Sequence, residues 1–189
     1  MHIAIIPGHG WRGRGRQDPG AGSDAVEEAT YVRLVADVCR SRGGSRVSVH
    51  DSPQHGPWTY QSRREAAHEA IGAGPGVVLH LHCNAGGGSY LMSMHDPRSS
   101  TGKTMAESWR DAAQGLAVSV NGKAIVREAT RPTWDNAANL LVHSYASTPA
   151  GVAAVLLEVG FVDCSDHSPL WGNAGVSLVA DTILAAFPS

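Results

Sequence analysis

Short apolar runs bounded by glycine and proline alternate along this chain with longer stretches whose apolar residues recur at helical spacing. The first run is His2-Ile3-Ala4-Ile5-Ile6, which Pro7-Gly8 leads into His9-Gly10. It predicts a buried strand ending on His9, at the carboxyl edge where open α/β sheets collect their ligands. A glycine-rich loop over 10–23 then precedes a helix expected over about 25–42, with apolar residues at 31, 34, 35, 38 and 39 and a stop at Gly43-Gly44. Residues 46–50, Arg-Val-Ser-Val-His, alternate as a strand does, 51–57 form a turn-rich loop, and 60–71 predict a second helix closed by Gly72.

Gly76-Val77-Val78-Leu79-His80-Leu81-His82 has the unbroken apolar character of a strand buried on both faces, and 89–95 predict a further strand. Ser100 or Thr101 can cap a helix through about Val120, with Met105, Trp109, Ala112, Ala113, Leu116 and Val120 on or near one face. A helix is expected over 136–146 and an apolar strand over 153–159. Ser168-Pro169 predicts the cap and first residue of a terminal helix reaching Phe187. Strands alternating with helices give the expected class: α/β, a three-layer α-β-α arrangement with a mostly parallel, mixed, twisted sheet and helices on both faces. No internal repeat or low-complexity linker interrupts it.

Composition narrows the function classes. At 189 residues the expectation is one domain, 1–189, with a sizeable core. Apolar residues make up 42% and charged residues 17%, and no run of 18 apolar residues is available for membrane insertion. Fifteen Lys and Arg against 17 Asp and Glu give a formal charge of -2, which supplies no basic field for nucleic acid. Arg12, Arg14 and Arg16 are the one local basic cluster and are expected to form a solvated loop. Cys39, Cys83 and Cys164 are odd in number and far apart, so they predict neither a disulfide framework nor a zinc knuckle.

Three strands end in, or contain near their ends, a residue able to bind metal or move a proton: His9, His82 and Glu158. A carboxylate inside Leu156-Leu157-Glu158-Val159 costs several kcal/mol unless it is paired or used. The chain has ten histidines, and His2, His50, His55, His68, His95, His143 and His167 are expected to be structural. His9 and His82 differ because each closes a strand and is followed by small or polar residues. Two imidazoles and one carboxylate are a frequent ligand set for a zinc that keeps an open position for water. Glu27 and Glu28, in the first turn of the first helix, can each supply the carboxylate, and helical spacing does not choose between them. Asn84 is a candidate for orienting the site or a substrate, or for forming a turn.

Four blocks in order carry a family resemblance: Ile5-Ile6-Pro7-Gly8-His9-Gly10 with Asp18-Pro19-Gly20-Ala21; Glu28-Ala29 with Val35-Ala36; Leu81-His82-Cys83-Asn84-Ala85; and Val155-Leu156-Leu157-Glu158-Val159-Gly160-Phe161. Through nearly its whole length the chain resembles the zinc-dependent N-acetylmuramoyl-L-alanine amidases of the type 3 group, found among bacterial cell-wall hydrolases and phage endolysins. Arg63 with Ala67 resembles a weaker fifth block, with His68 where asparagine is usual. The resemblance implies one Zn2+ per chain on His9, Glu28 and His82, Glu158 as catalytic acid/base, and Glu28 rather than Glu27 as the ligand. Two departures stand out: His80 where serine is common, and Asp163-Cys164 in place of Ser-Asn.

The implied reaction is hydrolysis of the amide between N-acetylmuramic acid and L-alanine in peptidoglycan, by a monomer whose one partner is the wall and which has no separate wall-binding domain. Alternatives are another zinc amidohydrolase or carboxypeptidase acting on peptides or acylated amino acids, or a catalytically silent peptidoglycan-binding domain. A first strand beginning at His2 leaves no room for a signal peptide, so the expected setting is cytoplasmic synthesis followed by release onto the wall, as for a phage or prophage endolysin.

Overall fold

A computed structural model describes residues 1–12, 16–51, 60–129 and 152–188. Apolar runs become the centre of a six-stranded sheet: β1 (His2–Pro7), β4 (Val47–Val49), β5 (Gly76–Asn84), β6 (Tyr90–His95), β7 (Lys123–Glu128) and β8 (Val152–Phe161), in the order β4-β1-β5-β8-β6-β7. All neighbours are parallel except β6 and β8, so the sheet is mixed as expected. β5 and β8 lie in the middle, and every residue of β8 is buried. That explains their continuous apolar sequences, since a strand covered on both faces has no solvent side to make polar.

Alternation along the strands sorts side chains into two layers. Ile3, Ile5, Val77, Leu79, Leu81, Val155 and Leu157 face one core, closed by α1 (Glu28–Gly43), α3 (Ser100–Ala112) and the terminal helix α5 (Asn173–Ala186). Ala4, Ile6 and Val78 face the other way, against Ala67 and Ile71 of α2 (Tyr60–Ile71). Helices therefore cover both faces. α1 ends as expected: Gly44 adopts φ 59°, a left-handed conformation that suits glycine, and its N–H bonds the Arg40 carbonyl.

Several boundaries differ from expectation. β1 stops at Pro7, so His9 stands two residues beyond it rather than closing the strand, whereas His82 lies inside β5. The glycine-rich loop holds a short antiparallel ribbon, β2 (Gly10–Arg12) with β3 (Arg16–Asp18), which puts Arg12 opposite Arg16; Arg14 lies outside the described residues. The helix expected through Val120 is two helices, α3 and α4 (Gln114–Ser119), and the cap of α3 is Ser99, whose Oγ accepts from the Gly102 N–H at 2.9 Å. Ser168-Pro169 falls in a 3-10 turn, Ser165–Leu170, and α5 begins only after Gly172. The helix expected over 136–146, most of the loop expected over 51–57, His55 and His143 lie outside the described residues.

Candidate metal centre

The parallel strands β1, β5 and β8 all end at one edge of the sheet, and the N-terminus of α1 is brought to that edge by a tight approach. Residues 23–26 form a turn closed by bonds between Ser23 and Val26. The Glu28 N–H then donates to the Ala21 carbonyl at 2.9 Å and the Ala29 N–H to the Pro19 carbonyl at 3.0 Å. The Glu28 side chain is consequently buried, while Glu27 is exposed and accepts from the Thr30 hydroxyl. Of the two acids that spacing left open, Glu28 reaches the histidines.

His9, Glu28 and His82 each offer one ligand atom, and the three atoms lie within 4.8 Å of one another. Glu28 Oε2 is 3.2 Å from His9 Nε2, and Oε1 is 3.0 Å from His82 Nδ1. Backbone donors hold the carboxylate on both sides, Ala21 N–H to Oε2 at 2.8 Å and Cys83 N–H to Oε1 at 2.9 Å. Burial alone would push the Glu28 pKa up, but hydrogen bonds from His82 and His9 bring it down to about 2.

The far nitrogen of His9, Nδ1, is 3.1 Å from Asp18 Oδ2. A carboxylate only accepts, so Nδ1 carries the proton and Nε2 is directed at Glu28. Acceptors on both sides of one imidazole require either a second proton or a cation at Nε2. Burial lowers the pKa of His9, and Glu28 and Asp18 overcome that and raise it. The Nε2 atom of His82 is buried and makes no hydrogen bond in the structure. Imidazole nitrogens facing a shared carboxylate, with one buried nitrogen unused, form a group that can hold a metal ion. Asp18 supplies the carboxylate that fixes the His9 tautomer.

Packing around the site is close. His9 adopts φ 59°, uncommon for a residue with a side chain. Its ring meets that of His82 edge to face, with centroids 5.2 Å apart. A Cβ on Gly8 would come within 2.5 Å of the His82 ring. One on Gly20, at φ 72°, would come within 2.5 Å of His9 Cδ2 and 2.6 Å of Glu28 Oε2. Gly20→Ala is therefore expected to weaken zinc binding about 10–100-fold. Gly22→Ala, whose added Cβ meets only the Val26 carbonyl at 3.6 Å, should leave it unchanged in the same competitive zinc titration.

Glu158 is buried and pairs in register with His82 across β5 and β8, so the two side chains share a face on adjacent strands. Cys83 lies behind them; burial first, then Glu28 and Glu158, push its thiol well above the usual range, so it is an inert thiol and no nucleophile. His80 is fully buried, its pKa lowered to about 3 by burial and then by the charges of His82, Arg63 and Arg64. Arg63 of α2, itself buried, donates from Nη1 to the Pro7 carbonyl at 2.7 Å, tying down the strand that leads into His9. Asn84 uses its side-chain oxygen on the Ala85 N–H at 2.8 Å, the turn-forming alternative.

One contributor carries no signal of its role in the sequence. Asp18 was visible only as part of a block, with no local signal that it would meet His9. His167 is structural as expected: its Nδ1 accepts the Phe161 N–H at 2.8 Å, three residues beyond Glu158. His2 and His50 are structural as expected, both hydrogen-bonding Ser48 Oγ at 2.9 and 2.8 Å.

A mixed α/β sheet with a two-histidine, one-carboxylate cluster at its carboxyl edge, Glu28 and His82 buried and His9 partly exposed, defines the fold and site in general terms. No protein-family model matches the sequence, and no curated protein matches it. Solved structures do. The N-acetylmuramyl-L-alanine amidase Ami1 from Mycobacterium smegmatis is similar over 98% of this chain and 94% of its own, with a TM-score of 0.71 at 15% identity. The catalytic domain of CwlV, an N-acetylmuramoyl-L-alanine amidase from Bacillus (Paenibacillus) polymyxa var. colistinus, is similar over 98% and 96%, with a TM-score of 0.69 at 19% identity. The catalytic domain of the CD27L endolysin, which targets Clostridia difficile, is similar over 97% and 96%, with a TM-score of 0.64 at 22% identity. The chain has the fold of these amidases.

Proposed function

We propose that this chain hydrolyses the amide bond between N-acetylmuramic acid and L-alanine in peptidoglycan, using one zinc ion on His9, Glu28 and His82 and Glu158 as acid/base. The observation that carries this reading is the convergence of those three ligand atoms within 4.8 Å, beside a buried carboxylate, on a fold shared with wall amidases. Amide hydrolysis needs an activated water and a place for the charge of the tetrahedral intermediate. Zinc, when bound, supplies both by polarising the carbonyl and lowering the pKa of water from 15.7 to about 7.

The chain's own residues do the rest. Asp18 keeps the proton on His9 Nδ1 and leaves Nε2 as the donor; the Ala21 and Cys83 amides hold both Glu28 oxygens in place. Glu158 takes the proton of the attacking water and returns it to the departing alanine nitrogen, which would otherwise leave as an amide anion. Its burial excludes bulk water from that transfer. The whole of 1–189 acts as the catalytic unit, as a monomer. The setting is lysis of a bacterial wall. The similar structures include bacterial enzymes and an endolysin catalytic domain, so they share a fold across settings.

Metal removal and product analysis test the reading together. The zinc-loaded chain should release stem peptides with new L-alanine amino termini and no new reducing sugars from purified peptidoglycan. Chelation should abolish that release and added zinc restore it. New reducing ends would indicate cleavage of the glycan instead, and hydrolysis confined to free peptides would favour a carboxypeptidase.

A further inference from the structure

His82 and Glu158 face each other across β5 and β8, but the regular ladder between those strands breaks immediately afterwards, where the register shifts between His82 and Asn84. A bulge at that point leaves the two strand ends, and the groups they carry, dependent on whatever ties the loops beyond it. Two kinds of tie are present. The Val162 N–H donates to the Asn84 carbonyl at 2.9 Å. The N–H groups of Gly86 and Gly87 both donate to one carboxylate oxygen, Asp163 Oδ2, at 2.8 and 3.1 Å.

Gly86 and Gly87 have φ values of 109° and 78°, and an added Cβ at either would meet nothing within 4 Å. Space does not demand glycine there; the backbone conformation that turns two successive amides toward one acceptor does. Gly88 completes the loop by lying flat on the Phe161 ring, where a Cβ would come within 2.2 Å of Cζ. Phe161 is paired with Asn84 in register and is held from behind by His167. The loop after His82 is thus fastened to the segment after Glu158, and Asp163 makes a side-chain part of that fastening. The Gly86 N–H, and less strongly that of Gly87, hold the Asp163 carboxyl below its usual pKa, as expected for an anion in an amide cradle.

We infer that Asp163 is a positioning residue: its carboxylate clasps the Gly86 and Gly87 amides and so fixes the spacing between His82 and Glu158 across the bulge. The inference rests on the amidase reading for its catalytic consequence, though not for the clasp itself. A catalytic group displaced by about 1 Å can cost about 100-fold in rate, so a loosened clasp acts on turnover more than on binding.

Asp163→Ala and Asp163→Asn, each in the full chain, test this by two readouts. Amide hydrogen exchange reports the clasp without any activity: in Asp163→Ala the Gly86 and Gly87 amides should exchange about tenfold faster or more, with the amides of 76–81 in β5 and 152–157 in β8, which precede the bulge, unchanged. In zinc-loaded protein on purified peptidoglycan, kcat should fall about tenfold with KM within about twofold. Asp163→Asn, whose side-chain oxygen can accept the same two bonds, should recover most of both. Unchanged exchange at Gly86 and Gly87 in Asp163→Ala, or faster exchange with unaltered kcat, would overturn the inference; so would Asp163→Asn behaving like Asp163→Ala. A wild-type chain inactive on peptidoglycan would instead overturn the amidase reading, and the exchange result would decide the clasp alone.

Discussion

Glu158→Gln is expected to lower amide hydrolysis by about 10²–10⁴-fold, the range that a positioned general acid/base supplies, while zinc content stays at one per chain. Glutamine keeps the size of the side chain and its place in β8 beside His82, and removes the carboxyl group that can accept and return a proton. Glu158 is not among the three residues whose ligand atoms converge, so metal binding should be indifferent to the change. The measurement is kcat on purified peptidoglycan alongside metal stoichiometry. A variant clearing walls at the wild-type rate would remove Glu158 from the mechanism, and one that lost zinc would recast it as a ligand.

Glu28→Ala should have the opposite signature, with both zinc and activity lost, whereas Glu27→Ala should keep both. Glu28 is the acceptor for the Ala21 and Cys83 amides and for both imidazoles, so truncation strands buried donors as well as deleting a ligand. Removing one partner of a buried charged cluster costs about 3–5 kcal/mol, which a thermal or denaturant unfolding curve of the metal-free protein will register. The pH dependence follows from the sign of the shift. The folded pKa of Glu28, about 2, lies below its ordinary 4.5. Its contribution is therefore present above about 4.5 and is lost as pH falls toward about 2. Metal-free wild type should lose its advantage over Glu28→Ala across that window. Equal zinc affinity in wild type and Glu28→Ala, with loss in Glu27→Ala, would reverse the assignment of the ligand.

Legibility varied with how local the determining forces are. The central strands β1, β5 and β8 were plain because burial on both faces forces unbroken apolar runs. β7 was missed because Lys123, Arg127 and Glu128 are exposed and the strand sits at the sheet edge, where its sequence resembles a loop. The break between α3 and α4 falls at Ala113, which keeps a right-handed helical conformation, so the apolar stripe runs on through it. Ser168-Pro169 falls inside a helical turn that begins at Ser165, and a 3-10 one, with Gly172 delaying α5.

What the sequence by itself determined is the α/β class, the order of most elements, and a short set of candidate residues, His9, His82 and Glu158 at or near strand ends and one of two adjacent acids at a helix start. Hydrophobic period, turn residues and the cost of burying a carboxylate act over a few positions, and those are written in the chain. Only the tertiary structure decided that Glu28 and not Glu27 turns inward, that His9 takes a left-handed conformation braced by Asp18, and that Asp163 closes the gap beyond the bulge. Those depend on segments separated along the chain, from nine residues for His9 and Asp18 to 77 for Gly86 and Asp163, meeting at one edge of the sheet, and no local pattern encodes which side chains will meet there.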